Sequence, residues 1–143
     1  MTKKVYLIRH TQSEANIASD LDNPKYYYDA PITEYGKKQA LNTNKLLKNI
    51  DFDLMLCSPL TRTLETFSLI FPRPISNTIV FPLIREHLDH SCDVGRQPKL
   101  LKKDFPNFDF SNLGQYWWND NMKINERKIN HESIENLDND MAS

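Results

Sequence analysis

Three short stretches concentrate side chains suited to handling phosphate: Arg9-His10, the run from Ser58 to Arg62, and Arg85-Glu86. An arginine offers a planar fork of N–H donors that matches a phosphoryl group, and its charge persists at any working pH. A histidine among arginines has its pKa pulled down, because neighbouring positive charge disfavours the imidazolium. The neutral ring can attack phosphorus as a nucleophile. A carboxylic acid beside it can protonate the departing oxygen. One histidine, up to three arginines and one acid therefore point to phosphoryl transfer through a phosphohistidine, without a metal or other cofactor.

Each residue also has a plainer explanation. His10 could be a buried histidine with a structural hydrogen bond, Arg62 a helix charge paired with Glu65 near it on the same helix, and Glu86 a surface acid beside Arg85. His87, His90 and Cys92 form an H-x-x-H-x-C cluster. No fourth ligand has usable spacing, so a polar loop is the better reading and no metal site is expected. Tyr26, Tyr27 and Tyr28 read as a loop packing on the core, and Lys102-Lys103 as a solvated face. Ser58 lacks the G-x-S-x-G surroundings of a nucleophile elbow.

The elements that must bring the three stretches together follow from the apolar pattern. Val5-Tyr6-Leu7-Ile8 reads as a strand buried on both faces, running straight into Arg9-His10. Ser13 to Asn16 starts a short helix. Thr33 caps a helix from Glu34 to about Asn49, with Ala40, Leu46 and Leu47 on its inner side. Asp53 to Cys57 is a second strand, ended by Ser58-Pro59. Leu60 to Phe71 is a helix, stopped by Pro72 and Pro74. Thr78 to Phe81 is a third strand, with Leu83 to Arg85 as its extension. Alternating strand and helix predict an α/β fold, a three-layer sandwich with a mostly parallel sheet. In such sheets ligands bind beyond the carboxyl ends of the strands, where all three stretches fall.

The 143 residues fit one domain. Basic and acidic side chains number 18 and 19, a balance that argues against a nucleic acid or membrane partner held by bulk electrostatics. No apolar run approaches the ~20 residues of a membrane helix, and the apolar stretch before Arg9 is too short for a signal peptide. Two cysteines make no disulfide framework, and free thiols in a cytoplasmic protein are expected. The domain is expected over 1–118. The segment 119–143, with six asparagines, is expected to be a disordered or weakly helical tail.

Four stretches resemble, in order, the motifs of the histidine phosphatase superfamily, the phosphoglycerate mutase-like proteins. Leu7 to Asn16 (LIRHTQSEAN) is similar to the family signature. Asp29 to Ala40 (DAPITEYGKKQA) is similar to its D-x-P-L-T-x-x-G-x-x-Q-A pattern. Cys57 to Thr66 (CSPLTRTLET) is similar to S-S-P-L-x-R-x-x-x-T, and Leu83 to Glu86 (LIRE) falls where the family has its acidic proton donor. The resemblance covers about residues 4–90 and implies a phosphoglycerate mutase-like fold. It implies His10 as the phosphorylated nucleophile, Arg9 and Arg62 as phosphoryl-holding residues, and Glu86 as acid and base. Ser13 and Asn16 would contact substrate. Thr11 stands where the family usually has glycine.

The family also carries a second histidine late in the chain, in an S-H-G or T-H-G setting, on a further strand. The histidines here are His10, His87, His90 and His131, and none has that setting. Glu132-Ser133 is similar to the segment leading toward it. The expectation is therefore a chain truncated before that strand and incomplete at its C-terminus, whose edge self-association or a partner chain would cover. The function expected is a phosphatase acting on a phosphate monoester, of a small molecule or a phosphoprotein. The alternative is a catalytically impaired pseudoenzyme, a phosphate-binding or interaction protein.

Overall fold

A parallel pair of strands, Met55–Cys57 (β1) and Thr78–Val80 (β2), forms the sheet of the computed structural model, which describes residues 2–19, 28–72 and 76–119. Met55 pairs with Thr78, Leu56 with Ile79 and Cys57 with Val80. The Phe81 amide donates to the Cys57 carbonyl at 2.8 Å and carries the ladder one residue further. There Pro82 intervenes. Proline has no N–H to give a ladder, and Pro82–Ile84 winds into a 3-10 turn. The expected extension of this strand over Leu83–Arg85 is thus corrected to a turn.

Two helices pack on each other beside the pair. Glu34–Leu47 (α1) starts at Thr33, whose Oγ1 accepts the Gly36 amide at 3.0 Å. That satisfies one of the amides a helix start leaves orphaned. The buried stripe of α1 is Gly36 and Ala40, with Leu47 half-buried. Leu46 is 79% exposed, which corrects its expected inward place. At 100° per residue, positions 36, 40 and 47 share a face that 46 does not. Gly36 is required by close approach, since a Cβ there would collide with the Gln12 carbonyl.

Thr61–Ile70 (α2) has Leu60 at its N-cap and no cap from that side chain. Asp29 supplies one from a distant segment. Its Oδ1 accepts the Thr61 amide at 2.7 Å and its Oδ2 the Thr61 hydroxyl. Asp29 also has a positive φ of 41°, which, glycine apart, short polar residues tolerate best. Arg96 closes this buried knot, donating Nε to Asp29 Oδ2 at 3.1 Å and Nη1 to Asp104 Oδ2 at 2.6 Å. α1 and α2 are tied directly where Asn44 Nδ2 donates to the Ile70 carbonyl at 2.7 Å.

The core gathers Cys57, Leu60, Leu64 and Val80 from the sheet and α2 with Val94, Leu101, Phe110, Trp117 and Trp118. Residues 91–118 matched no motif but supply five of these nine core residues. Leu101 comes from a short helix, Pro98–Asp104 (α3), opened by proline at its first position. Trp117 donates Nε1 to the Arg96 carbonyl at 2.8 Å, and a Cβ on Gly95 would strike the same indole. Lys102 is exposed but not merely solvated, because its Nζ donates to the carbonyls of Pro106 and Phe108 at 2.8 and 2.9 Å.

The strand expected at Val5–Ile8 is not formed. The segment carries no ladder among the described residues, and Val5 and Leu7 are 82% and 94% exposed. Apolar, β-branched side chains give a segment only the propensity for a strand, while the strand itself needs a neighbour's backbone. The expected α/β class and parallel pairing are nonetheless present. Of the tyrosine loop, Tyr28 packs against the core, while Tyr26 and Tyr27 lie outside the described residues, as do His131, Glu132, Ser133 and all of the expected tail beyond Asn119.

Candidate active site

His10 stands just beyond the exposed segment, held where the chain enters the space between α1 and α2. Its Nδ1 lies 2.6 Å from the Thr11 carbonyl oxygen. A carbonyl only accepts, so Nδ1 carries the proton and the Nε2 lone pair of the neutral ring is left for chemistry. The ring is half-buried, and its pKa is lowered. Burial is the largest cause and the Thr11 carbonyl opposes it. The charges of Arg62 and Arg9 add to the lowering, and Glu86 acts in the opposite sense. The charges of Arg9, Arg62 and Glu86 all bear on His10, although the four residues come from three distant parts of the chain, and of the four only Arg9 and His10 line a common cleft.

The neighbours of His10 are fixed by side chains that the motif stretches contain but that carry no chemistry of their own. Thr66, on α2, accepts the Thr11 amide at 3.1 Å and donates to the Arg62 carbonyl at 2.7 Å. Gln39, on α1, accepts the Gln12 amide at 2.9 Å. Gln12 in turn accepts from the Thr33 hydroxyl at 2.8 Å, and its carbonyl accepts the Thr33 amide at 2.9 Å. Sequence reasoning assigned no role to Thr66 or Gln39. The four-residue spacing that places Thr66 one turn beyond Arg62 was the available signal.

Arg9, His10, Thr11, Gln12, Asn16, Gln39 and Thr43 line a cleft of about 520 Å³. Arg9 is exposed at its mouth. Asn16 lines it, and Ser13 does not. Ser13 is buried, accepting the Asn16 amide at 3.3 Å while its own amide donates to Asn16 Oδ1 at 2.8 Å. This reciprocal pair caps the 3-10 turn Glu14–Ile17.

Arg62 is 4% exposed. Its Nη1 donates to the Cys92 carbonyl at 2.7 Å and its Nη2 to Asp93 Oδ1 at 3.0 Å. The expected plainer partner, Glu65, instead accepts the Ile32 amide. Glu86 is exposed, and its Oε1 accepts the amide of His87 at 3.3 Å. Arg85, the third arginine of the constellation, turns the other way and donates to the carbonyls of Trp118 and Pro82. Cys92 is buried and its thiol pKa is pushed up to about 11, chiefly by burial and then by Asp93. Among the described residues, no group of three or more His, Cys, Asp or Glu is arranged to hold a metal, and no helix is long and apolar enough to cross a membrane.

Comparison with known proteins agrees with this arrangement of motifs. The family model of the histidine phosphatase superfamily (branch 1) matches residues 5–138. A protein of Schizosaccharomyces pombe named as a probable phosphatase is 32% identical over 117 residues, covering 76% of this chain and 52% of that protein. The adenosylcobalamin/alpha-ribazole phosphatase of Escherichia coli is 29% identical over 105 residues, covering 73% and 50%. Phosphoglycerate mutase-like protein 1 of Arabidopsis thaliana is 29% identical, covering 76% and 52%. The chain spans about half the length of these relatives. With residues 5–138 of its 143 matched by the family model, the chain belongs to the histidine phosphatase superfamily, branch 1.

Proposed function

We propose that this chain is a phosphatase acting on a phosphate monoester through a phosphohistidine at His10. The observation that carries the reading is the 2.6 Å approach of His10 Nδ1 to the Thr11 carbonyl, in a half-buried ring whose pKa is lowered. It leaves a neutral Nε2 beside two arginine charges, which is the form that attacks an electron-poor centre.

In the first step Nε2 forms a bond to phosphorus and the ester P–O bond breaks. The protonated carboxyl of Glu86 gives its proton to the departing oxygen. In the second step the Glu86 carboxylate takes a proton from water, the water oxygen bonds to phosphorus, and the P–N bond breaks to return His10. Arg9 and Arg62 offset the charge of the phosphoryl oxygens through both steps. Asn16 in the cleft wall faces the substrate, with Ser13 holding it in place.

The test is single turnover of the 143-residue chain with p-nitrophenyl phosphate, quenched and examined for phosphoprotein, alongside thermal melts with vanadate. The expected product is an acid-labile, base-stable phosphoprotein that His10→Ala abolishes, with a melting temperature raised by vanadate. A vanadate response without phosphoprotein would replace this reading with a phosphate-binding protein that does not turn over. Neither response would end both.

A further inference from the structure

The carboxylate of Asp93 is buried, takes no part in the steps above, and is fully committed to neighbours. Its Oδ1 accepts Arg62 Nη2 at 3.0 Å, and its Oδ2 accepts the amides of His90 and Asp89 at 3.0 and 3.3 Å. The adjoining Cys92 carbonyl accepts Arg62 Nη1 at 2.7 Å. A guanidinium is a planar group with five N–H donors, so two bonds to one corner fix its plane. Arg85 anchors the other end of the segment through the Trp118 and Pro82 carbonyls at 3.2 and 3.0 Å. Glu86 thus lies on a short stretch tied down on both sides, at Arg85 and at Asp93.

We infer that Asp93 is the positioning residue of the site: it orients the Arg62 fork toward the phosphoryl group and tethers the Glu86-bearing segment to α2. A buried guanidinium without its carboxylate would be left uncompensated and free to reorient. The buried pair is bidentate toward the Cys92–Asp93 corner, a geometry that point charges such as lysine do not reproduce. This inference rests on the phosphatase reading, because it assigns Arg62 to the phosphoryl oxygens.

The experiment is a double-mutant cycle on vanadate affinity, measured for the wild-type chain, Asp93→Asn, Arg62→Lys and the double variant. Asp93→Asn is expected to weaken vanadate binding about tenfold, the scale of one charge-assisted hydrogen bond. On the Arg62→Lys background the same change is expected to weaken it by less than about twofold, since Asp93 acts through Arg62. Equal losses on both backgrounds would overturn the inference and leave Asp93 a general structural residue. Unchanged or tighter binding in Asp93→Asn would overturn it too, showing that the carboxylate competes with the anion. Asp93→Glu guards against a folding failure. It keeps the charge but displaces it by one methylene, and it is expected to bind more weakly than wild type while melting cooperatively. Wild-type affinity in Asp93→Glu overturns the positioning role. A wild-type chain that binds no vanadate fails the phosphatase reading itself, which is a different result.

Discussion

His10 is where residue-scale physics has the clearest consequence. Its pKa is lowered from 6.5, with burial the largest cause. The neutral ring therefore persists below pH 6.5, and the acid limb of phosphoprotein formation is expected to lie below that value in a stopped pH series. The linkage has a definite sign. Between the two pKa values the unfolded chain binds more protons than the folded one, so stability rises with pH there and falls as pH drops through 6.5. His10→Gln is expected to flatten that slope in urea titrations across the same range. Asp29 offers a stability test at the same scale. Burial raises its pKa, against the lowering by Thr61 and Arg96. Asp29→Ala would leave the buried Thr61 amide without its acceptor and Arg96 with only the half-exposed Asp104 as its acid partner. A loss of about 1–3 kcal/mol is expected in equilibrium unfolding. None of these partners is close to Asp29 in sequence, so the aspartate of the second motif could be recognised by resemblance while its work as a remote cap on α2 could not be derived.

The elements position the site by approaching closely. Gly36 in the first turn of α1 lies against the Gln12 carbonyl and Thr11 Oγ1, next to the nucleophile. Gly36→Ala would ordinarily favour a helix, yet here the added Cβ meets backbone. It is expected to destabilise by about 1–3 kcal/mol, as overpacking does, and to lower phosphoprotein yield by shifting Thr11. Thr33→Ala is expected to cost about 1 kcal/mol through loss of the cap. Thr33→Ala also removes the hydroxyl bond to Gln12, so both variants reach the segment that carries His10, Gly36→Ala by pressing on it and Thr33→Ala by releasing it. The start of α1 was legible from Thr33 and the following apolar spacing. So were β1, α2 and β2, within two residues at their ends. The strand at Val5–Ile8 was not, because its pattern is that of a paired strand and the pairing depends on backbone from elsewhere.

At the scale of the whole molecule, stability depends on one aromatic-rich core. Trp118 is fully buried at the centre of the core, packed edge-on against Trp117 and Tyr116. Trp118→Ala is expected to cost about 3–5 kcal/mol, enough to remove cooperative melting from a small domain. Away from this core Leu7 and Leu83 are 94% and 75% exposed, with Leu54, Leu56 and Ile79 partly so. Leu7→Glu is therefore expected to change unfolding free energy by less than about 0.5 kcal/mol, while reducing any concentration-dependent association seen by sedimentation. A large loss of stability would instead show that Val5–Ile8 is buried in solution.

The sequence by itself determined the family, the α/β alternation, the Thr33 cap and the identity of the chemical groups. Those properties are written in local spacing, turn residues and side-chain type. Only the tertiary structure decided which of these groups meet and how each is held. Asp93 reaches Arg62 across 31 positions, and Thr66 reaches Thr11 across 55. Arg85 turns away to the Trp118 carbonyl, while the charge of its neighbour Glu86 bears on His10. Hydrogen bonds of this kind depend on distances between segments that no local pattern encodes. They are settled only when the core around Leu64 and Trp118 closes and the buried polar groups must find partners.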